Sequence, residues 1–234
     1  MKLALIDVKY KGKIELTASA LKELKHFKTI ALYTTTQFNH GLPKILKQLK
    51  KNGNKVVMSQ PSRTSSKFQI LGCDIYHENL RLKEKCDAYL YVGDGRFHPL
   101  ALVYSLKNAG KDLPVIIYNP LNKEIQIIKV NDKGVQRVFN RRQANIKLFH
   151  FANNVGVLVT TKTGQEHFHY VKQLEEKFPK KKFYVFLADT IDFDEMENFP
   201  FIQCWVNTAC PRIGMEDAFE SEKSIVNVED VLRG

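Results

Sequence analysis

The 234-residue sequence lacks any apolar run long enough to cross a membrane, which needs about 18 residues. The apolar stretch within residues 1–10 is also too short for a secretion signal. Low-complexity tracts are missing, and the chain is 44% apolar and 26% charged, a balance typical of globular domains rather than disordered chains. We therefore expect a folded, soluble, cytoplasmic protein.

Cysteine is scarce, with four residues and no closely spaced CxxC or ferredoxin pattern. Without a secretion signal, a disulfide framework is not expected, so these residues are thiols or metal ligands. Cys73 follows a glycine in a loop and Cys210 lies past the end of a predicted strand; such accessible positions suit iron ligands, although a lone loop cysteine is more often inert. Cys86 lies about 20 Å from the turn at the carboxyl end of its predicted strand, and Cys204 lies six residues, also about 20 Å, before Cys210, so we expect core thiols at both positions.

Negative charge is in deficit, since 36 Lys and Arg against 25 Asp and Glu leave a net charge of +11. This excess favours an acidic or polyanionic partner, such as RNA, a ribonucleoprotein or an acidic protein. The lysine clusters at 44–51 and 180–182 equally fit the solvated faces and ends of helices. No basic motif interleaved with aromatic residues is visible, so charge alone supports an RNA-binding or nucleotide-binding α/β protein.

Apolar stretches of strand length alternate with amphipathic stretches. Predicted strands lie at 28–34, 55–59, 88–92, 114–118, 155–161, 182–188 and 201–207. Predicted helices lie at 41–52, between Pro99 and Gly110, at 135–151 and at 166–178. A weak internal repeat relates the two halves, because Thr34 and Thr160 each close a strand. The pattern predicts two similar small α/β domains, each a parallel sheet flanked by helices.

Parallel sheets bind ligands at the carboxyl ends of their strands, so the turns after the strands are candidate sites. In the turn 93–99, two glycines allow close backbone approach, and Arg96 and His98 could hold a carboxylate. The turn 160–165 offers hydroxyls and amides to an adenosine or a carboxylate. Both turns equally fit ordinary helix-capping turns, and the patterns alone leave both interpretations open.

Five segments, taken in order, resemble the diphthamide synthase family, the archaeal-type 2-(3-amino-3-carboxypropyl)histidine synthases. They are TTTQFNHGLPKI (34–45), QILGCDIY (69–76), AYLYVGDGRFHPLAL (88–102), GVLVTTKTGQ (156–165) and WVNTACPRIGMEDA (205–218). The resemblance implies three similar α/β domains that each donate one cysteine to a [4Fe–4S] cluster, which binds S-adenosylmethionine. Cys73 matches the second of these ligands and Cys210 the third.

The resemblance also implies the reaction. The reduced cluster would cleave S-adenosylmethionine on its aminocarboxypropyl side, and the 3-amino-3-carboxypropyl radical would add to a histidine of elongation factor 2, the first step of diphthamide biosynthesis. No catalytic residue is assigned beyond the cluster ligands. Residues in the matching turns become candidates for cradling the methionyl and adenosyl parts, namely Gly93, Gly95, His98, Gly164, Gln165 and Arg212.

The sequence departs from the family at its start. Residues 1–14 resemble only the last strand of the first family domain, followed by a second-type α/β domain at 15–134 and a third-type domain with a linking helix at 135–234. The chain then supplies two of three protein ligands. A separate chain could supply the first domain and third cysteine, which we favour; a fuller homologous subunit could pair with the chain; or the chain could be a non-catalytic scaffold or substrate-presenting subunit.

Overall fold

The structure is a computed structural model that describes residues 8–217 and 222–233. Contacts divide the chain into two units, Met1–Asp132 and Lys133–Gly234. Each unit is a mainly parallel sheet flanked by helices, so the predicted fold class is confirmed. In the described ranges no helix is both long and apolar enough to span a membrane.

The first unit has a five-stranded sheet in the order β2-β1-β3-β4-β5. Its elements are α1 (Ala18–Leu24), β1 (Thr29–Thr34), α2 (Thr36–Asn39), α3 (Leu42–Lys51), β2 (Lys55–Val57), a 3-10 turn (His77–Leu80), β3 (Ala88–Val92), α4 (Phe97–Asn108), β4 (Val115–Tyr118) and β5 (Ile125–Ile128). The first four strands are parallel, as predicted, and β5 is antiparallel to β4. β5 was not predicted from the sequence, because the two middle residues of this four-residue strand are exposed and give no buried pattern.

Glycine and proline mark the bounds of two helices of the first unit. In α3, Leu42, Ile45 and Leu49 form a buried stripe, and the helix ends before Gly53, whose φ of +91° suits glycine. Helix α4 begins two residues before Pro99, earlier than predicted. Proline is tolerated there because backbone N–H groups of a first helical turn have no partner within the helix.

The second unit has a four-stranded, fully parallel sheet in the order β7-β6-β8-β9. Its elements are α5 (Lys133–Phe151), β6 (Asn154–Thr160), α6 (His169–Lys177), β7 (Lys182–Ala188), a 3-10 turn (Asp194–Asn198), β8 (Cys204–Asn207), a π-helical turn (Ile213–Asp217), β9 (Ile225–Asn227) and α7 (Val228–Leu232). The two units share the strand order second, first, third, fourth, which accounts for the weak sequence repeat. β9 and α7, which are only three and five residues long, were not predicted from the sequence.

Both faces of the second sheet are covered. Val155, Val157 and Val159 pack with Phe149 on one face. On the other face, Trp205 packs with a cluster that includes Leu158, Met196 and partly buried aromatic side chains. The second unit therefore has an apolar cluster on each face of its sheet.

The predicted strand at 1–14 is covered only in part. Residues 1–7 lie outside the described residues, and 8–14 contain no strand. Tyr10 donates its backbone N–H to the Gln37 carbonyl at 3.0 Å, and its ring packs against Phe38 at 5.4 Å. Together with the buried Ile14, these contacts attach residues 8–14 to the first unit.

Candidate functional site

The loop that carries Cys73 starts at the carboxyl end of β1, where Gln69 bridges to Thr34. A turn then encloses Cys73. Its two closing bonds both involve Asp74, whose N–H donates to the Leu71 carbonyl at 3.1 Å and whose Oδ2 accepts the Leu71 N–H at 2.9 Å. Cys73 is thus held half-exposed in a doubly closed turn at the carboxyl edge of the sheet, the edge at which parallel sheets generally bind ligands.

The surroundings of Cys73 shift the pKa of its thiol in opposite directions. Burial raises the pKa of its thiol, the Arg63 charge opposes that rise, and Asp74 adds to it. Burial likewise raises the pKa of Asp74, whose Oδ1 has no hydrogen-bond partner among the described residues. Because iron binds the thiolate, a metal ion would favour loss of the Cys73 proton, and Arg63 favours the same charged form.

Gly72 brings the Cys73 loop against helix α4. The ring of Phe97, the first residue of α4, occupies the space that a β-carbon on Gly72 would need. A larger residue at position 72 would push the loop away. The Cys73 loop and the 93–96 turn, which leads into α4, are therefore neighbours at one edge of the first unit.

Gly93 and Gly95 form the turn after β3. The Gly93 N–H donates to the Tyr118 carbonyl at 3.0 Å, which joins the turn to β4. Gly95 has a φ of +69° and donates its N–H to Asp94 Oδ1 at 2.8 Å; Asn119 donates to the same oxygen at 2.9 Å. A small cavity of about 130 Å³ opens between this turn and the β4–β5 hairpin. The exposed turn can approach a small polar ligand closely.

His98, the second residue of α4, is half-buried beside this turn. Its ring stacks on Tyr91 with centroids 6.4 Å apart and planes within 9°, and meets Phe97 edge-on at 5.5 Å. These contacts fix the orientation of the imidazole. Three predicted residues of the first unit, Gly93, Gly95 and His98, therefore lie at the same edge as Cys73.

Cys210 lies three residues past β8 in a loop held by two buried asparagines. Asn207 Nδ2 donates to the Cys210 carbonyl at 2.9 Å and to Asn227 Oδ1 at 2.8 Å. Asn227 Nδ2 in turn donates to the Pro211 carbonyl at 2.7 Å. Buried amides with satisfied hydrogen bonds fix local geometry. The loop therefore holds the half-exposed Cys210 in one arrangement.

Neither asparagine was predicted as a functional residue from the sequence. A detectable signal exists, because the apolar strands WVN and IVN both end in asparagine at positions 207 and 227. A buried amide at the end of a parallel strand needs a hydrogen-bond partner, and here the partners are the other amide and the Cys210 loop.

Arg212 is buried and donates through Nε to Glu216 Oε2 at 3.0 Å, one helical turn further on. A second bond joins its Nη2 to the same oxygen. The guanidinium predicted to cradle a ligand is thus engaged with a carboxylate inside the π-helical turn. In this arrangement Arg212 stiffens the chain directly after Cys210.

Gly164 and Gln165 lie exposed in the turn after β6. Gly164 has a φ of +81°, and the Gln165 N–H donates to the Lys162 carbonyl at 3.0 Å. Thr160 closes the strand by donating its hydroxyl to the Asp189 carbonyl at 3.2 Å. This turn and the Cys210 loop both lie at the carboxyl edge of the second sheet.

The other two cysteines lie at the opposite ends of their strands. Cys86 precedes β3 by two residues, and burial raises the pKa of its thiol to about 11. Cys204 is the fully buried first residue of β8, and burial raises its pKa to about 12. In the described parts of the chain, no group of three or more His, Cys, Asp or Glu residues could hold a metal ion. Of the four cysteines, Cys73 and Cys210 are the two that lie at the carboxyl edges of their sheets.

This chain matches a known protein family and several of its members. The family model described as "Putative diphthamide synthesis protein" matches residues 2–232. The 2-(3-amino-3-carboxypropyl)histidine synthase of Pyrococcus horikoshii is 26% identical over 222 residues, which cover 93% of this chain and 60% of the relative. The Methanocaldococcus jannaschii synthase is 32% identical over 150 residues, covering 62% and 41%. The synthase subunit 1 of Caenorhabditis elegans is 26% identical over 200 residues, covering 84% and 48%.

A solved structure is also similar. Dph2 from Pyrococcus horikoshii with a 4Fe-4S cluster matches with a TM-score of 0.74 and 25% identity, covering 96% of this chain and 64% of that one. The chain therefore spans between 41% and 64% of the length of these relatives.

Proposed function

Because the chain belongs to the diphthamide synthesis family, we propose that it forms part of a [4Fe–4S], S-adenosylmethionine-dependent 3-amino-3-carboxypropyltransferase. Its substrate would be a histidine of elongation factor 2 in the cytoplasm, in the first step of diphthamide biosynthesis. One observation carries the proposal: each unit holds a half-exposed cysteine in a fixed loop at the carboxyl edge of its sheet. The 4Fe-4S cluster of the similar Dph2 structure supports it.

Cys73 and Cys210 would bind iron as thiolates, and their loops are built to hold them still. When bound, the cluster would supply the reducing electron and an open iron for S-adenosylmethionine. Asp74 closes the first loop, and Asn207 with Asn227 clamps the second, so the backbone that carries each cysteine is already held in place.

A third thiolate has to come from outside these loops. Cys86 and Cys204 are poor candidates, because their thiols hold their protons far more tightly than an ordinary cysteine and lie at the amino ends of their strands. We propose that a separate chain, or a homologous subunit, contributes the third cysteine. The name "subunit 1" of the Caenorhabditis elegans relative, which implies a multi-subunit enzyme, supports this arrangement.

The exposed turns would bind the rest of S-adenosylmethionine. Gly93 and Gly95 allow a ligand to approach the backbone closely, and His98 offers an imidazole beside the first cysteine loop. Gly164 and Gln165 offer an open turn in the second unit. Arg212 would contribute through the Cys210 loop, since its guanidinium pairs with Glu216. Each of these assignments rests on position at the carboxyl edges.

The test is a transfer assay. The chain is reconstituted with iron and sulfide under anaerobic conditions, mixed with a chain that supplies the third cysteine, reduced with dithionite, and incubated with S-adenosylmethionine and elongation factor 2. Mass spectrometry should show one 3-amino-3-carboxypropyl group on a histidine of elongation factor 2. The Cys210→Ala variant should lose this product and the Cys204→Ala variant should keep it. A complex that binds S-adenosylmethionine but never cleaves it would reject the catalytic role.

A non-catalytic scaffold or substrate-presenting subunit is the second candidate. The net charge of +11 and the lack of a three-ligand metal site in the described residues favour it. A scaffold should bind elongation factor 2 without iron, with an affinity that falls as salt rises. Equal binding by wild type and a Cys73→Ala, Cys210→Ala double variant, together with no transfer, would support the scaffold.

A further inference from the structure

The positive charge of the chain is concentrated in its first unit. Residues 1–132 contain 22 Lys and Arg against 11 Asp and Glu, whereas residues 133–234 contain 14 of each sign. The two units nevertheless share one strand order. The whole excess of +11 therefore belongs to one unit, and the fold that the units share does not require it.

Nine lysines lie on the layer of chain that covers one face of the first sheet. This layer consists of the segment 8–17, α1 and α3, whose apolar residues belong to one core cluster with the strands. Gln48 joins α3 to the segment, because it accepts the Leu16 N–H and donates to the Leu16 carbonyl, both at 2.9 Å. Asn52 joins α3 to α1 by donating to the Leu21 carbonyl at 3.0 Å. The lysines of this basic layer are all exposed, and they are Lys9, Lys11, Lys13, Lys22, Lys25, Lys44, Lys47, Lys50 and Lys51.

Few carboxylates offset the charge of the basic layer. The same segments contain two acidic residues, Glu15 and Glu23, and Glu15 forms an ion pair with Lys44. Lys44 also lines a cleft of about 470 Å³ with Lys13 and Lys47, between the segment 8–17 and the start of α3. An anion in this cleft would meet three ammonium groups.

Helix α3 carries lysines where they do not stabilise a helix. Lys44 lies in the first turn, where the helix dipole favours acidic residues, and the turn has none. Lys47 and Lys51 are four residues apart, a spacing at which like charges repel. Helix α6, which likewise follows the first strand of its unit, has balanced charges, including an ion pair between Lys172 and Glu176. Folding at this position therefore does not explain the lysines of α3.

The composition of the basic layer indicates the chemistry of its partner. Between residues 9 and 57 no large apolar side chain is exposed. Protein interfaces centre on apolar, aromatic and arginine side chains and are poor in lysine, so the layer differs from them. It also lacks the exposed aromatic rings on which unpaired bases stack. Lysine binds phosphate as a compact point charge, so the layer suits the phosphate backbone of a paired nucleic acid.

We propose that the basic layer binds the phosphate backbone of a double-helical RNA segment. From Lys44 to Lys51, α3 advances about 10 Å at 1.5 Å per residue. Phosphates follow one another at about 3.4 Å of helix axis along each nucleic-acid strand, so several lysines of α3 can contact different phosphates. The choice of RNA over DNA rests on the proposed function, since an elongation factor works in translation, where RNA is the abundant polyanion.

The test titrates the intact chain against a fluorescent RNA duplex of about 20 base pairs, with binding followed by anisotropy and without iron or S-adenosylmethionine. We expect an affinity that falls linearly with salt on logarithmic axes. The Lys47→Ala, Lys51→Ala double variant should weaken binding at least about tenfold and reduce the salt slope by about 2. The matched control, Lys172→Ala with Lys180→Ala, removes the same charge from exposed residues of the second unit and should bind like wild type. Circular dichroism checks that both variants fold.

Competition against the labelled duplex identifies the partner. Unlabelled duplex RNA should compete better than single-stranded RNA, duplex DNA or polyglutamate of equal charge. Polyglutamate that competes as well as duplex RNA would assign the layer to an acidic protein and overturn the proposal. Stronger competition by single-stranded RNA or duplex DNA, or equal loss of binding in the two double variants, would overturn it too. A chain that transfers the aminocarboxypropyl group yet does not bind duplex RNA would overturn this proposal alone.

Discussion

Replacing Cys204 or Cys210 by alanine should have opposite effects, because the first change should lower stability and the second should remove iron. Cys204 is fully buried at the start of β8, and Cys210 is half-exposed in the loop after it. Cys204→Ala should lower the free energy of unfolding by about 1–2 kcal/mol and leave the iron content unchanged. Cys210→Ala should remove iron binding and change stability little.

The size of the Cys204 effect follows from its surroundings. The thiol packs among Val155, Val206 and Val226, so deleting its sulfur removes buried contacts and leaves a small cavity. At pH 8, an ordinary thiol of pKa 9.0 is about 10% thiolate, whereas Cys204 with a pKa of about 12 has about a thousandfold less. Cys204 is therefore a packing group and a poor metal ligand.

A pH dependence follows with a definite sign. Because folding raises the pKa of Cys204 from 9.0 to about 12, the protonated thiol favours the folded state. Its contribution is fully present below pH 9 and is lost as the pH rises from about 9 to 12. The stability difference between wild type and Cys204→Ala should therefore shrink above about pH 9.

The chain supplies its own probe for these measurements. Trp205 is the single tryptophan and is buried next to Cys204, so its fluorescence in a urea titration reports unfolding of the second unit. Iron and sulfide are measured on the same samples after anaerobic reconstitution with the completing chain. Loss of iron from Cys204→Ala with a normal urea midpoint would refute the assignment of Cys204 as a core thiol.

Three further predictions concern other residues. Arg142→Ala should lower the free energy of unfolding in urea by about 3–5 kcal/mol, because the buried Asp230 carboxylate loses the two hydrogen bonds, of 2.6 and 2.7 Å, that Arg142 donates to it. As a control, Lys172→Ala, which removes an exposed ion pair with Glu176, should lower it by less than about 0.5 kcal/mol. Asn227→Ala should reduce iron retention by loosening the Cys210 loop, and an unchanged rate of iron release to a chelator would contradict the clamp. Gly95→Ala should cost about 1–2 kcal/mol through its φ of +69° alone, since no atom blocks a β-carbon there; a thermal melt of unchanged midpoint would disprove it.

Strands and amphipathic helices were predictable because their buried patterns are long and regular. β1 and β3, buried along nearly their whole length, were found within a residue of their bounds. β5 and β9 were missed, because β5 has two exposed residues in its middle and β9 is only three residues long. These strands form through tertiary pairing with β8 and β4, which overrides weak local preference.

The site shows the same division. The loop positions of Cys73 and Cys210 follow from where strands end, and they could be inferred from the sequence. The Asn207–Asn227 pair and the ion pair of Arg212 with Glu216 join groups that only the folded chain brings into hydrogen-bonding geometry. Arg212 in particular has the charge expected of a ligand-binding residue, and the carboxylate that engages it could not be identified from residue type.

The proposal that Cys73 and Cys210 bind one cluster is tested most directly by the iron content of the reconstituted complex in four forms. These are wild type, Cys73→Ala, Cys210→Ala and the double variant, with cluster type assigned by Mössbauer spectroscopy. If the two sulfurs share a cluster, each single variant should lose as much iron as the double variant, because a [4Fe–4S] cluster with one ligand fewer is readily stripped. Single variants that each keep half of the wild-type iron would show two separate sites and contradict the account.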